Sequence, residues 1–428
     1  MDSNSLLFRA AVKIGHWRQR LWYVPVLASA MGLMMLRPLL MARLLDVQGF
    51  AQYSAGLLVS SSFCMLGCLG LQALLQREMP VQLVRRRELA AAMLLMQCLI
   101  VALVCASVGV LLSASGVHFA GMSHGLLALS VLHGLSQQVF LLATVESRSR
   151  GQPLHFAKQN FQRAGLVLLA GVAAARWFDA AAPVLLAETV FSLLISWRIL
   201  WNAWQRLRMG LPALVRLAVR RLGRLSWSSA LALLGVMVVG FSLINMDRWI
   251  AASLLPASDF AQYAFAWILL LIAQSTQSLI NASVYPALAR RFARDGQAAS
   301  FRFATQIGSL LLLGGAVLAW PAWWLARAAV ERWFPDYLVG ADLLKIFLLV
   351  AILRVADFWS SHLIIIGQER RLLIINLLVA VLVGAVWLVF VEPWTPGWLS
   401  LNNLAALAVS FAAANYLAVF ITAYSSGR

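Results

Sequence analysis

The sequence predicts an all-α, polytopic membrane protein of about twelve transmembrane helices in two six-helix lobes. Three observations carry this prediction. The 428 residues are 62% hydrophobic and only 12% charged, with mean hydropathy +0.82. Their apolar runs reach the roughly 20 residues needed to cross about 30 Å of hydrocarbon. The runs do not alternate polar with apolar residues, so helices rather than a closed barrel must satisfy the backbone in lipid. Finally, Leu44-Leu45-Asp46-Val47-Gln48-Gly49-Phe50-Ala51-Gln52-Tyr53 returns 210 residues later as Leu254-Leu255-Pro256-Ala257-Ser258-Asp259-Phe260-Ala261-Gln262-Tyr263. Each copy closes one apolar run and opens the next, as the outer turn of a helical hairpin does, and an internal repeat of this kind sets the architecture.

Taken in order, the spans fall near 21–45, 51–76, 89–113, 122–145, 161–178, 183–202, 227–254, 260–286, 303–325, 341–366, 371–391 and 399–424. The connections on one side carry the basic residues: Arg77 with Arg85 to Arg87; Arg148, Arg150, Lys158 and Arg163; Arg198 to Arg224; Arg290, Arg291, Arg294 and Arg302; Arg370 and Arg371. The net charge of +18 is therefore a topology signal. Positive loops stay cytoplasmic, which places both termini inside and both copies of the repeated turn outside. A nucleic-acid partner is not expected, because no soluble domain presents a basic groove. Six spans per half is an even number, so the halves are expected to be related by a pseudo-two-fold axis along the membrane normal. The domain reading is an N-terminal lobe 1–202, a linker 203–226 and a C-terminal lobe 227–428.

Within the linker, Arg216, Arg220 and Arg224 recur every four residues among Leu214, Leu217, Leu222 and Leu225. That pattern predicts a basic amphipathic helix on the inner leaflet, where anionic lipids are its expected partners. Residues Ser5 to Trp17 read as a second, weaker interfacial helix, and no cleavage site follows, so the first span is expected to be retained. Cys64, Cys68, Cys98 and Cys105 all lie in apolar runs and act there as small hydrophobes. Trp320, Trp323, Trp324, Trp333, Trp394 and Trp398 cluster at expected membrane interfaces.

Phosphate-cradling loops, dinucleotide fingerprints, metal-ligand pairs and serine-nucleophile motifs are all missing, so no cofactor, no metal and no catalytic residue is expected. Ionisable groups inside the spans are the better clue, because each costs a few kcal/mol at the bilayer centre unless it faces protein or water. Aligning the repeat sets Arg37 opposite Asp247, with Arg248 beside it. Two readings stay open there: a structural pair tying the halves together, or groups that face a substrate and open as a gate. Arg354 and Asp357 stand three apart in the tenth span, too deep to reach outer water, so they pair with each other or line a cavity. Glu188 is the acid with no basic neighbour at helical spacing, hence a candidate proton carrier. His133 and His362 read as helix-helix hydrogen bonds. Lys345 stands one turn from Asp342 and snorkels. Pro25, Pro38 and Pro286 mark candidate bends, and Trp249 and Trp359 flank the charged clusters as candidate stacking residues.

With Arg43 before it, the repeated turn resembles the R-x-L-G-x-x-x-F-G-x-Y turn after the first span of polysaccharide transporters in the multidrug/oligosaccharidyl-lipid/polysaccharide exporter superfamily. Asp247-Arg248-Trp249-Ile250 is similar to their seventh-span D-R-x-I motif, and Tyr285-Pro286-Ala287-Leu288-Ala289-Arg290 to the end of their eighth span. The chain departs from the pattern at Leu45, Ala51, Leu255 and Ala261, where the family has glycines.

This resemblance implies a V-shaped pair of bundles around a cationic central cavity, in a bacterial inner membrane. It implies a flippase that carries an undecaprenyl-diphosphate-linked oligosaccharide from the cytoplasmic to the periplasmic leaflet, for O-antigen, capsule or exopolysaccharide. Glycan polymerase and export machinery are the expected partners. Arg37, Arg248 and Arg354, with Trp249 and Trp359, would meet the anionic headgroup, and Asp247, Asp357 and Glu188 would gate or couple an ion. Two alternatives stand beside it. A multidrug antiporter of the same superfamily would place acids rather than arginines in its cavity, and an integral-membrane glycan polymerase or ligase would need a larger outer loop than Ala326 to Gly340.

Overall fold

In a computed structural model the chain is helical throughout its described residues, 3–116, 119–207, 209–390 and 400–427; side chains at 3–21, 390, 427 and scattered positions between 269 and 289 are left aside. Trp394, Trp398, the side chain of Pro286 and the faces of the expected interfacial helix at Ser5 to Trp17 lie outside what is described. The chain divides into two compact units. One comprises Met1–Leu45 and Ala55–Met237, the other Asp46–Ser54 and Val238–Arg428.

The first unit is built on α1 (Ser3–Leu44), most of α2 (Val47–Leu66), α3 (Leu71–Val84), α4 (Glu88–Ala114), α5 (His124–Ser149), α6 (Pro153–Phe178), α7 (Ala181–Trp204) and α8 (Leu211–Arg220). Helix α1 runs unbroken through Pro25 and Pro38, so the interfacial segment and first span form one element and neither proline ends it. The second span departs from its expected form: α2 and α3 are bent by 52°, at a turn where Leu69 and Gly70 have φ of 48° and 80°. Glycine takes such a φ without a Cβ penalty, and no hydrogen-bond ladder crosses the turn. Around the bend, Leu71, Leu75, Cys98, Ala102 and Leu142 close a core between α3, α4 and α5. Helix α1 packs along α6, and α5 and α6 pack on α7.

The second unit takes the rest of α9 (Trp227–Leu254), then α10 (Ala257–Trp333), α11 (Leu338–Ala356), α12 (Trp359–Ile365), α13 (Glu369–Phe390) and α14 (Leu401–Gly427). The eighth and ninth spans, read from the sequence with a polar connection between them, are joined by helix on both sides of Gly296 (φ 81°, ψ −173°). The tenth span is broken in two at Asp357, between α11 and α12. Asp46 caps the first copy of the repeated turn by accepting from Gly49 N at 2.7 Å, whereas Pro256 opens the second copy with no side-chain cap. In this unit Phe50 meets the edge of Tyr337 (ring centroids 5.4 Å apart), and Phe265 stacks on the same ring at 4.6 Å.

Among the described residues, eight helices are long and apolar enough to cross a membrane alone, and the bent α2–α3 pair makes a ninth. The other three expected spans correspond to α6, which carries Lys158, Arg163 and Arg176, to the first arm of α10, and to the broken α11–α12 pair.

Gly70 is the tightest backbone position: a Cβ there would stand 1.9 Å from the Ala230 carbonyl oxygen. Gly70→Ala is therefore expected to destabilise the folded protein by about 2 kcal/mol or more, from strain plus displaced backbone. Gly235→Ala, where a Cβ meets nothing within 4 Å, is expected to be neutral or slightly stabilising. Thermal unfolding in detergent, read by fluorescence, checks both, and equal midpoints for the two variants would refute the argument.

Candidate functional site

Buried ionisable side chains gather in one cluster per unit. In the first, Glu188 of α7 is fully buried. Its Oε2 lies 3.3 Å from Arg37 Nη1 of α1 and 3.3 Å from His133 Nε2 of α5. His133 Nδ1 in turn shares a 2.8 Å hydrogen bond with Ser60 Oγ of α2. Gly171 of α6 completes the wall, since a Cβ there would stand 2.9 Å from Glu188 Oε1. One carboxylate thus draws on four helices, and the partner that sequence spacing does not supply comes from tertiary packing. The helix-helix role read for His133 matches its bond to Ser60.

Arg163, which charge alone groups with the basic connection, stands nearly three turns inside α6, which begins at Pro153, and is 8% exposed. Its guanidinium lies 4.6 Å from the centre of the Phe140 ring, and Nε donates to Ser192 Oγ at 2.9 Å. The missed signal was Pro153 itself, a helix-start residue.

The second cluster lies on α9, α10 and α11. Asp247 accepts a 2.6 Å hydrogen bond from Tyr263 Oη, so the repeated turn contributes its own tyrosine to the site. Each member of the aligned couple is thus engaged inside its own unit, Arg37 with Glu188 and Asp247 with Tyr263. The Arg248 guanidinium sits 4.2 Å from the centre of the Trp267 ring, and its buried Nε has no hydrogen-bond partner among the described residues. Trp267 stands 19 residues from Arg248 in sequence, and Trp249, the candidate for stacking on a substrate, is half-buried.

Arg354 and Asp357 do not pair with each other in the bonds they make. Arg354 Nη2 donates to the Ile244 carbonyl at 3.3 Å. Asp357 accepts from Ser360 N at 3.2 Å and Ser360 Oγ at 2.6 Å, capping α12 where the span breaks. Both line a cavity of about 170 Å³ with Gln277, Asn415 and Tyr416. Arg354 Nη1, Asn415 Oδ1 and Tyr416 Oη are buried there without partners among the described residues. Trp359 lies beside this cavity, donating to Thr305 Oγ1 at 3.1 Å and packing against Tyr416 and Phe420. His362 shares a 3.0 Å bond with Ser300 Oγ. Lys345 and Asp342 are 3.8 Å apart and exposed.

The four cysteines are free thiols, and no group of metal-ligating residues is found among the described side chains. Chemically the two clusters offer proton or ion exchange at two buried carboxylates, Glu188 and Asp247, and at half-buried Asp357. They also offer anion recognition by guanidinium groups seated on aromatic rings or carbonyls instead of on acids.

This fold, with charged clusters buried inside apolar bundles, defines a multi-pass membrane protein. Its fold is similar to that of solved transporters: the chain superposes on a MATE crystal structure with TM-score 0.61 at 13% identity, over 96% of this chain and 95% of that one. It likewise matches the outward-facing form of a multidrug resistance MATE family transporter (TM-score 0.57, 12% identity, 96% and 95% covered). A third match is a MOP superfamily transporter from Pyrococcus furiosus described as having a binding pocket of reversed polarity (0.56, 13%, 96% and 94%). Neither a protein-family model nor a curated protein sequence matches the chain.

Removing one partner of a buried ion pair leaves the other charge uncompensated. Glu188→Ala is therefore expected to cost about 3–5 kcal/mol, whereas Arg37→Met combined with Glu188→Leu should recover most of that loss. Unfolding midpoints of the two singles and the double form the cycle; a double variant no better than Glu188→Ala would mean that Arg37 and Glu188 do not stabilise each other.

Proposed function

We propose that the chain is a flippase for lipid-linked oligosaccharides, carrying an undecaprenyl-diphosphate-linked glycan from the cytoplasmic to the periplasmic leaflet of a bacterial inner membrane, with both termini inside. The observation that carries this reading is how the arginines of the two clusters are held, Arg163 and Arg248 buried and Arg354 half-buried. Arg163 rests on Phe140 and Arg248 on Trp267, and Arg354 donates to a backbone carbonyl. A guanidinium on a ring or a carbonyl keeps its full positive charge for an incoming anion, and a diphosphate accepts its planar fork in a bidentate way. An organic cation would meet repulsion from the same groups. The chain acts as a carrier and performs no covalent chemistry.

Coupling is assigned to the carboxylates. Glu188 exchanges a proton or ion against its Arg37 and His133 partners, while Asp247 and Asp357 do so in the second cluster. The fold likeness to multidrug transporters favours a second reading, a cation antiporter, in which these three acids bind drug and ion.

Complementation separates the two. A strain lacking an oligosaccharide flippase should regain surface glycan with the wild-type chain. Arg248→Ala should lower that recovery at least about tenfold, the cost of one buried bidentate anion contact, and Arg248→Lys should retain part of it. If the expressed chain never restores glycan in hosts with varied repeat units, yet lowers accumulation of a cationic dye, the flippase reading fails and the antiporter reading stands.

A further inference from the structure

Outside both clusters, the first unit carries a groove of about 370 Å³ between α4, α5, α7 and α8 at its basic end. Its walls are apolar, with Leu95, Leu99, Leu103 and Leu193 along the length and Leu214 of α8 across the end. The aromatic run Trp197, Trp201 and Trp204 lies on one side, its rings in succession 5.7 and 4.9 Å apart. Tryptophans in such a row mark the level of lipid headgroups.

Polar groups occur at one end only. Glu88 binds Arg150 at 2.5 Å, and Glu146 binds Arg150 at 2.7 Å and Arg206 at 3.1 Å. The hydrogen bonds that Arg150 donates to Glu88 hold its guanidinium above its ordinary range, so it stays charged. These four charges cancel. The excess is supplied by exposed Arg85 to Arg87 just before α4, and by exposed Arg216, Arg220, Arg221 and Arg224 of α8 and the turn after it. Helix α8 lies with Leu214 and Ala218 buried and is tied down by Gln97 Nε2 donating to the Ala218 carbonyl at 3.2 Å.

We propose that this groove binds one anionic phospholipid of the inner leaflet, its acyl chain along the leucines and its phosphate among Arg206 and the arginines of α8. A chain-shaped apolar trough needs a hydrocarbon occupant, and the tryptophan row sets its headgroup at the membrane surface. The one-sided excess of arginine selects negative charge at that headgroup, since each nearby basic residue adds attraction to an anionic lipid. This site is separate from the buried clusters and does not depend on which solute the protein moves.

The test is native mass spectrometry of the full chain released from nanodiscs of equimolar phosphatidylglycerol and phosphatidylcholine. Wild type is expected to retain one phosphatidylglycerol in preference. Arg216→Gln with Arg220→Gln should cut the preference about fivefold for each arginine removed, with retention of lipid itself continuing. Ala92→Trp, or the milder Leu103→Trp at the groove wall, should lower retention of both lipids while the unfolding midpoint without lipid stays near wild type. Equal retention of the two lipids by wild type, or unchanged retention in both groove-filling variants, overturns the proposal. Displacement of phosphatidylglycerol by an equimolar polyprenyl phosphate also overturns it, by assigning the groove to that chain instead.

Discussion

The first unit depends on one carboxylate kept out of water. An ionised side chain inside a membrane protein is tolerated only with partners at hand, and no basic residue stands at helical spacing from Glu188 along α7. Its partners come from α1 and α5, and the space for it comes from the missing side chain of Gly171 on α6. Four helices are thereby held in one register: α1, α5 and α7 by polar contacts and α6 by close approach. Van der Waals packing between apolar helices in lipid is weakly directional, so such a contact contributes specificity that leucines alone do not.

The second unit handles its charges differently. Asp247 is satisfied by a tyrosine hydroxyl and Arg248 by an indole face, both from the helix that follows the repeated turn. Asp357 is satisfied by breaking the helix that carries it, so that its oxygens cap the next segment. Breaking a span frees backbone and side-chain groups, and irregular backbone at membrane depth requires protein or a polar cavity around it. The unpartnered atoms of Arg354, Asn415 and Tyr416 around one cavity are what that requirement predicts. That cavity leaves polar atoms open on one side, whereas Glu188 is fully buried.

Several features were legible in the sequence because they rest on counting. Span length and a repeated decapeptide report on solvent and duplication without any contact being known. The charged span residues Arg37, Glu188, Asp247, Arg248, Arg354 and Asp357 stand out for the same reason, as costly residues in apolar surroundings. Their partners did not stand out. Arg248 lies over Trp267, a residue that spacing along α9 does not point to, and Trp359 packs against Tyr416 and Phe420. Arg163 falls inside the expected span 161–178 yet counts with the basic connection by charge alone, and only its ring and hydroxyl partners show it as an interior residue.

The sequence by itself therefore determined the solvent, the helical class, the doubled plan and the residues whose charge has to be compensated. Hydrophobic length and charge bias are one-dimensional quantities. Only the tertiary structure decided who compensates whom, where α2 bends and where α11 stops, and that Asp46 to Ser54 of the first repeated turn belong with the second unit. Those outcomes depend on side chains separated by 19 to 151 positions meeting within a few ångströms, and spacing along a single helix carries no information about them.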